Sequence, residues 1–186
     1  MTSIKIGLVQ YDPKLRDVRG NMDRVDNMIA HLTPELVDIL LLPEMAFTGY
    51  MFGNREEINP YLEDEHGPSM SWARRAAKRL QAAVLVGYPE IESSTKRAFN
   101  SIAVIDYEGN LQVSAFVSAP LCVEYAEVRY CQTVYRKHFL YDTDKTWATE
   151  GPTFETFDLR VKGRQDSIRV APAICMDLVT LSLFAR

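Results

Sequence analysis

The stretch Ile168-Arg169-Val170-Ala171-Pro172-Ala173-Ile174-Cys175-Met176-Asp177-Leu178 decides the fold of this chain. It is an apolar, β-prone run that ends on a cysteine and, two residues later, an acid. In α/β proteins, strand ends open into a crevice lined by loops, and functional groups concentrate there. A lone cysteine at a strand end is more often an inert core residue, because cysteine is among the most buried residue types. The stretch therefore predicts a strand of the parallel type and marks Cys175 as a nucleophile only if other residues support it.

Toward the amino terminus, strands and helices alternate in the order that begins a βαβ unit. Apolar residues repeat with a period of two in the predicted strands and at helical spacing in the predicted helices. Two hairpins are predicted: one has its turn at residues 107–110, and the other joins residues 154–159 to residues 168–175 through a turn at residues 161–164. This order predicts an α/β fold. The predicted strands cover residues 4–8, 37–42, 83–88, 99–106, 133–140, 154–159 and 168–175, and the predicted helices cover residues 22–32 and 69–80, the second capped by Ser69.

Composition excludes several classes of partner. The chain has 186 residues, of which 47% are hydrophobic and 25% charged, as expected of one globular domain. The formal net charge of -4 gives no basic footprint for nucleic acid or an acidic membrane surface. The apolar runs, such as residues 39–43, are too short to cross a bilayer. No secretory signal precedes the first strand, so the expected location is the cytosol or the nucleus.

Cysteine and histidine spacing argues against a metal or a disulfide framework. The three cysteines are an odd number without paired spacing, and the three histidines never fall into a ligand pattern. We therefore expect no metal and no cofactor.

Two further residues stand out because of where they occur. Glu44 directly follows a buried strand and precedes an apolar, aromatic connection that would make a poor solvated loop. Lys137 lies inside a predicted strand. Each has a plain alternative, since most carboxylates at strand ends and most lysines are solvated.

Taken together, these residues resemble the nitrilase, or carbon–nitrogen hydrolase, superfamily. The motifs occur in the family's order along the chain and are Leu41-Leu42-Pro43-Glu44 with Phe47-Thr48-Gly49-Tyr50, Gly87-Tyr88-Pro89-Glu90, Asn100-Ser101, Tyr135-Arg136-Lys137 and Ile174-Cys175-Met176-Asp177. The resemblance implies a four-layer α-β-β-α sandwich, of which this chain would be an incomplete N-terminal part.

The same resemblance implies catalytic roles. Cys175 would be the nucleophile, Glu44 the general base and acid, and Lys137 the group that stabilises the thiolate and the oxyanion. The Met176 backbone N–H would be a second oxyanion donor, and Asp144 a second acid supporting the lysine. A thiol needs such a base because only a few per cent of it is ionised at pH 7.

A narrower resemblance, to the fungal amidohydrolases that act on N-terminal asparagine, rests on Gly49-Tyr50 with Phe52, on Pro60-Tyr61-Leu62-Glu63 and on residues 139–147. It implies conversion of an N-terminal Asn or Gln of a protein to Asp or Glu, with release of ammonia and a link to ubiquitin-dependent degradation. The acidic residues between Glu56 and Glu65 could then accept the substrate's α-amino group.

Other interpretations of the sequence remain open. The chain could be a small-molecule amidase, ω-amidase, carbamoylase or nitrilase of the same superfamily, a peptidase that pairs Cys175 with His138, or a catalytically inactive fragment. The last of these arises because the family pattern stops soon after the nucleophile.

Two segments depart from the family pattern. Residues 113–132 have no clean periodicity, and deleting them joins two segments in strand register; residues 179–186 also diverge. We expect a single partial domain over residues 1–186, truncated after the nucleophile, with both segments being translated non-coding sequence.

Overall fold

A computed structural model describes residues 3–112 and 134–184 of the chain. The predicted α/β class is confirmed, with strands and helices interleaved. None of the helices in these two ranges is long and apolar enough to cross a membrane. The strands are β1 (Ile6–Leu8), β2 (Ile39–Leu41), β3 (Ala83–Ile91), β4 (Ala98–Ile105), β5 (Val134–Arg136), β6 (Phe157–Leu159) and β7 (Ile168–Val170), and the helices are α1 (Val18–Met28), α2 (Arg55–Ile58), α3 (Pro68–Leu80) and α4 (Met176–Phe184).

Five strands form one sheet in the order β1-β2-β3-β4-β5. The first three are parallel, with Ile6 opposite Ile39 and Ile39 opposite Ala83. The pairs β3–β4 and β4–β5 are antiparallel. Strands β2 and β5 flank the antiparallel β3–β4 pair and run in the same direction. The chain segments that follow them therefore emerge at the same end of the sheet.

The sheet is covered on both faces, which gives three layers in the described ranges. On one face, Leu40, Val84 and Val86 pack against apolar side chains of α1 and α3. On the other face, Ile39, Val104 and Tyr135 pack against the two-stranded sheet of β6 and β7 and against Ile174. Burying both faces explains why β2 and residues 83–88 of β3 are apolar rather than alternating.

Local signals fix where the helices begin and end. The carboxylate of Asp17 caps α1 by accepting from the Gly20 N–H, and Asn54 caps α2 through the Glu57 N–H. The predicted cap at Ser69 is wrong: α3 begins one residue earlier at Pro68, whose missing N–H suits the first turn of a helix.

Two predictions around the C-terminal hairpin need correction. Strand β7 pairs antiparallel with β6, which confirms the predicted hairpin of residues 154–159 and 168–175 and means that β7 is not a strand of the parallel type. It also ends at Val170, and Cys175 lies five residues later, immediately before α4. Residues 179–184 belong to α4, whereas the predicted insert at 113–132 lies outside the described residues, as do residues 185–186.

Glu63 is a buried acid with a structural role. Its side chain is 5% exposed and accepts from the Ser69 N–H at 2.7 Å and the Ser69 hydroxyl at 2.8 Å. Burial raises the pKa of Glu63 to about 7, despite these two hydrogen bonds. Its carboxylate therefore already accepts hydrogen bonds from the start of α3. Within the acidic stretch from Glu56 to Glu65, Glu63 is thus not the acceptor for a substrate amine.

This raised pKa predicts how stability depends on pH. The folded state favours protonated Glu63, so its stabilising contribution is full below about pH 4.5 and is lost as pH rises through about 7. The size of this contribution is about 3 kcal/mol. We expect Glu63→Gln to flatten the fall in unfolding free energy between pH 5 and pH 8, measured by urea denaturation. The exposed neighbour Glu65 supplies the control, and equal pH slopes for Glu63→Gln and Glu65→Gln would contradict the prediction.

Candidate active site

Glu44 lies in the turn that follows β2, held close to the middle of the sheet. A Cβ atom on Gly87 of β3 would come within 2.8 Å of the Glu44 Cα and 2.6 Å of the Pro43 carbonyl oxygen. Only glycine allows this approach. The Ala46 N–H then donates to the Gly87 carbonyl at 2.9 Å, and Met45 adopts a positive φ of 50°. The strand glycine and the turn together fix where the Glu44 side chain starts.

Lys137 follows β5 and points into the protein. Its N–H donates to the Asn100 carbonyl at 2.8 Å, and its own carbonyl accepts from the Gly151 N–H at 2.8 Å. The side chain is 0% exposed, and Nζ lies 2.7 Å from Glu44 Oε1 and 2.6 Å from Asp144 Oδ2. The solvated alternative for this lysine is therefore wrong.

Lys137 and Glu44 influence each other's pKa. Burial alone would lower the pKa of Lys137, but its hydrogen bonds to Asp144 and Glu44 outweigh burial and raise that pKa above the usual value. Lys137 is thus a permanent ammonium. Burial raises the pKa of Glu44, and Lys137 and Asn100 only partly oppose it. A raised pKa makes Glu44 a better base than a solvated carboxylate.

Asn100 completes the group and was not assigned a role from sequence. Its Nδ2 donates to Glu44 Oε1 at 2.6 Å and to Asp144 Oδ1 at 3.1 Å, so it bridges the two carboxylates. The signal was present, because Asn100 stands in the motif Asn100-Ser101, but an amide within a strand has no distinctive spacing.

Cys175 lies at the turn into α4 with an exposed thiol and a positive φ of 47°. Burial and the Glu44 carboxylate raise the pKa of the thiol, while the Lys137 ammonium and the Met176 N–H lower it. The thiol therefore lies within reach of the charges of both residues. At neutral pH such a thiol needs a base to remove its proton.

The structure thus brings Glu44 and Lys137, 93 residues apart in sequence, into direct contact, and the charges of both act on the Cys175 thiol. It also places Asp144, 0% exposed, on the lysine, as the resemblance implied. Such a site offers a nucleophile, a base and a fixed positive charge for a developing oxyanion.

His138 occupies a different environment. Its Nδ1 lies 2.7 Å from the Gly151 carbonyl oxygen, and its ring packs edge-on against Phe154. This engagement with the backbone argues against the alternative of a Cys175–His138 peptidase dyad.

The chain is similar to known carbon-nitrogen hydrolases, among them N-terminal amidases. The family described as carbon-nitrogen hydrolase matches residues 5–181. The protein N-terminal amidase of Schizosaccharomyces pombe is 32% identical over 94% of this chain and 55% of its own length, and that of Saccharomyces cerevisiae is 28% identical over 96% and 38%. Crystal structures of N-terminal amidase with Asn-Glu and with Gln-Val peptides superpose with a TM-score of 0.72 at 27% identity, over 94% of this chain and 40% of theirs. The chain therefore spans about half or less of the length of these relatives.

Proposed function

Because the chain belongs to the carbon–nitrogen hydrolase family, we propose that it hydrolyses the side-chain amide of an N-terminal Asn or Gln of a protein, through a cysteine thioester. The observation that carries the proposal is the buried lysine held between two carboxylates beside an exposed thiol. This arrangement supplies every group that amide hydrolysis by a thiol requires.

The first half-reaction forms the thioester. Glu44 accepts the proton of the Cys175 thiol, and the thiolate sulfur attacks the amide carbon of the substrate. The carbonyl oxygen then becomes an oxyanion, which the Lys137 ammonium and the Met176 N–H stabilise; one such donor contributes about 10²–10³ in rate. As the C–N bond breaks, Glu44 returns its proton to the nitrogen and ammonia leaves.

The second half-reaction restores the thiol. Glu44 removes a proton from water, the resulting hydroxide attacks the thioester carbon, and the C–S bond breaks. The sulfur regains its proton and the product is a carboxylic acid. Lys137 keeps its charge throughout, because its hydrogen bonds to Asp144 and Glu44 hold its pKa above the usual value.

The choice of substrate rests on the relatives. Their names and the Asn-Glu and Gln-Val peptides bound in the solved structures favour peptide N-termini over small amides. The product carries one additional negative charge at the protein terminus. We propose that this change marks the product for ubiquitin-dependent degradation.

Peptide mass spectrometry tests the proposal. The chain is incubated with peptides that begin with Asn or Gln, with an N-acetylated copy, and with a peptide carrying Asn only at an internal position. We expect the amide-to-acid mass increase in the first two peptides alone. Conversion of free glutamine-like amides instead of the peptides would favour a small-molecule amidase, and conversion of none would identify an inactive fragment.

A further inference from the structure

Asp177 is a buried carboxylate that the reaction described above does not use. Its side chain is 0% exposed and accepts four hydrogen bonds. Oδ1 accepts from the Phe139 N–H at 2.8 Å and the His138 N–H at 3.2 Å. Oδ2 accepts from the Tyr135 hydroxyl at 2.7 Å and the Ile174 N–H at 3.0 Å. A carboxylate buried to this extent is costly to place in a protein unless every lone pair finds a donor, as here.

The four donors come from two segments that each hold a reacting group. Ile174 immediately precedes the Cys175 nucleophile. Tyr135, His138 and Phe139 surround Lys137 on and after β5. Asp177 is therefore the point at which the turn carrying the thiol is joined to the segment carrying the ammonium.

We propose that Asp177 is a positioning residue, which holds the Cys175 turn in register with Lys137 and so sets the ionisation of the thiol. The inference rests on the proposed function, since it takes Cys175 as the nucleophile and Lys137 as its electrostatic partner. Asp177 itself touches neither the substrate nor the reacting atoms.

The chemistry of the contacts explains why an aspartate is needed. All four partners are donors, and only an ionised carboxylate offers two oxygens that both accept. Burial raises the pKa of Tyr135, and its hydrogen bond to Asp177 raises it further, so the phenol keeps its proton and donates. An asparagine in place of Asp177 would present an NH₂ group to two of the donors and break one side of the junction.

The pKa of the Cys175 thiol depends on its distance from Lys137. The Lys137 ammonium lowers the pKa of the Cys175 thiol, whereas burial and the Glu44 carboxylate raise it. If the turn moves away from Lys137, the lowering contribution falls, because electrostatic attraction decreases with separation. The thiolate fraction at neutral pH should then fall as well.

Alkylation of Cys175 as a function of pH tests this inference without requiring turnover. Rates of reaction with iodoacetamide are followed between pH 6 and pH 10 by mass spectrometry of the peptide that contains Cys175. For Asp177→Asn we expect the rate at pH 7 to fall about ten-fold, which corresponds to a rise of about one in the thiol pKa. The control is Asp158→Asn, which removes the same charge from an exposed ion pair between Asp158 on β6 and Arg169 on β7. Its profile should match that of the unaltered chain.

A second variant covers the case in which Asp177→Asn fails to fold, as judged by circular dichroism. Tyr135→Phe removes one donor and leaves the three backbone hydrogen bonds, and we expect its alkylation rate at pH 7 to fall a few-fold. An unchanged profile, or a lower thiol pKa, in whichever of the two variants folds would overturn the inference. Because the assay reports the thiol alone, a chain that deamidates no peptide can still pass or fail it.

Discussion

Replacing Cys175 with alanine is expected to reduce peptide deamidation by about 10⁴-fold or more, because the reaction loses its only proposed nucleophile. The fold should be unaffected. The Cys175 side chain is exposed, so its removal creates no cavity, and the unfolding free energy should change by no more than about 0.5 kcal/mol. Ammonia release from an Asn-initiated peptide measures the activity, and urea denaturation measures the stability.

The matched control is Ser93→Ala, which truncates an exposed side chain of similar size elsewhere on the chain. It should leave the rate within about two-fold of the unaltered chain. Equal rates for Cys175→Ala and the unaltered chain would mean that the exposed thiol has no part in catalysis.

Replacing Lys137 with methionine should remove both activity and stability. We expect a fall in rate of about 10³-fold, since the thiol and the oxyanion lose their fixed positive charge. The same change leaves the buried carboxylate of Asp144 and the partly buried carboxylate of Glu44 without the cation that they share. Breaking a buried ion pair on one side costs about 3–5 kcal/mol.

The pH dependence of this loss has a definite sign. Without the ammonium, the pKa of Glu44, which burial already raises, rises further above the value in the unfolded chain, so the folded variant takes up a proton. Its stability should therefore increase as pH falls from 8 to 5. Urea denaturation at these two pH values measures the effect, with the exposed neighbour Lys145→Met as control. A Lys137→Met chain that unfolds at the same urea concentration as the Lys145→Met chain would refute the ion-pair account.

Much of the fold could be predicted from local patterns. The change from a period of two to helical spacing indicated β1 and α1, although α1 begins four residues earlier than predicted, and the apolar run at 39–42 indicated a strand buried on both faces. These signals are properties of single segments. The short turn at 161–164 likewise predicted the antiparallel pairing of β6 and β7, whereas the apolar run up to Cys175 did not reveal that β7 ends at Val170.

In the candidate site, too, local sequence predicted some residues, whereas others depend on contacts between distant segments. Glu44 and Cys175 could be singled out because each interrupts or ends an apolar run. The burial of Lys137 could not, because it depends on Glu44, which is 93 residues earlier, and on Asp144. The bridging amide of Asn100 and the four donors around Asp177 are likewise visible only after β4, β5 and the turn before α4 have come together.

The central claim is that Cys175 carries the acyl group during amide hydrolysis. The most direct test is to mix the chain with an Asn-initiated peptide, quench with acid within the first turnovers, and locate any covalent adduct by mass spectrometry. We predict an adduct with the mass of the peptide less ammonia, attached to Cys175 and absent from Cys175→Ala. An adduct on another residue, or continued turnover by the Cys175→Ala chain, would contradict the account.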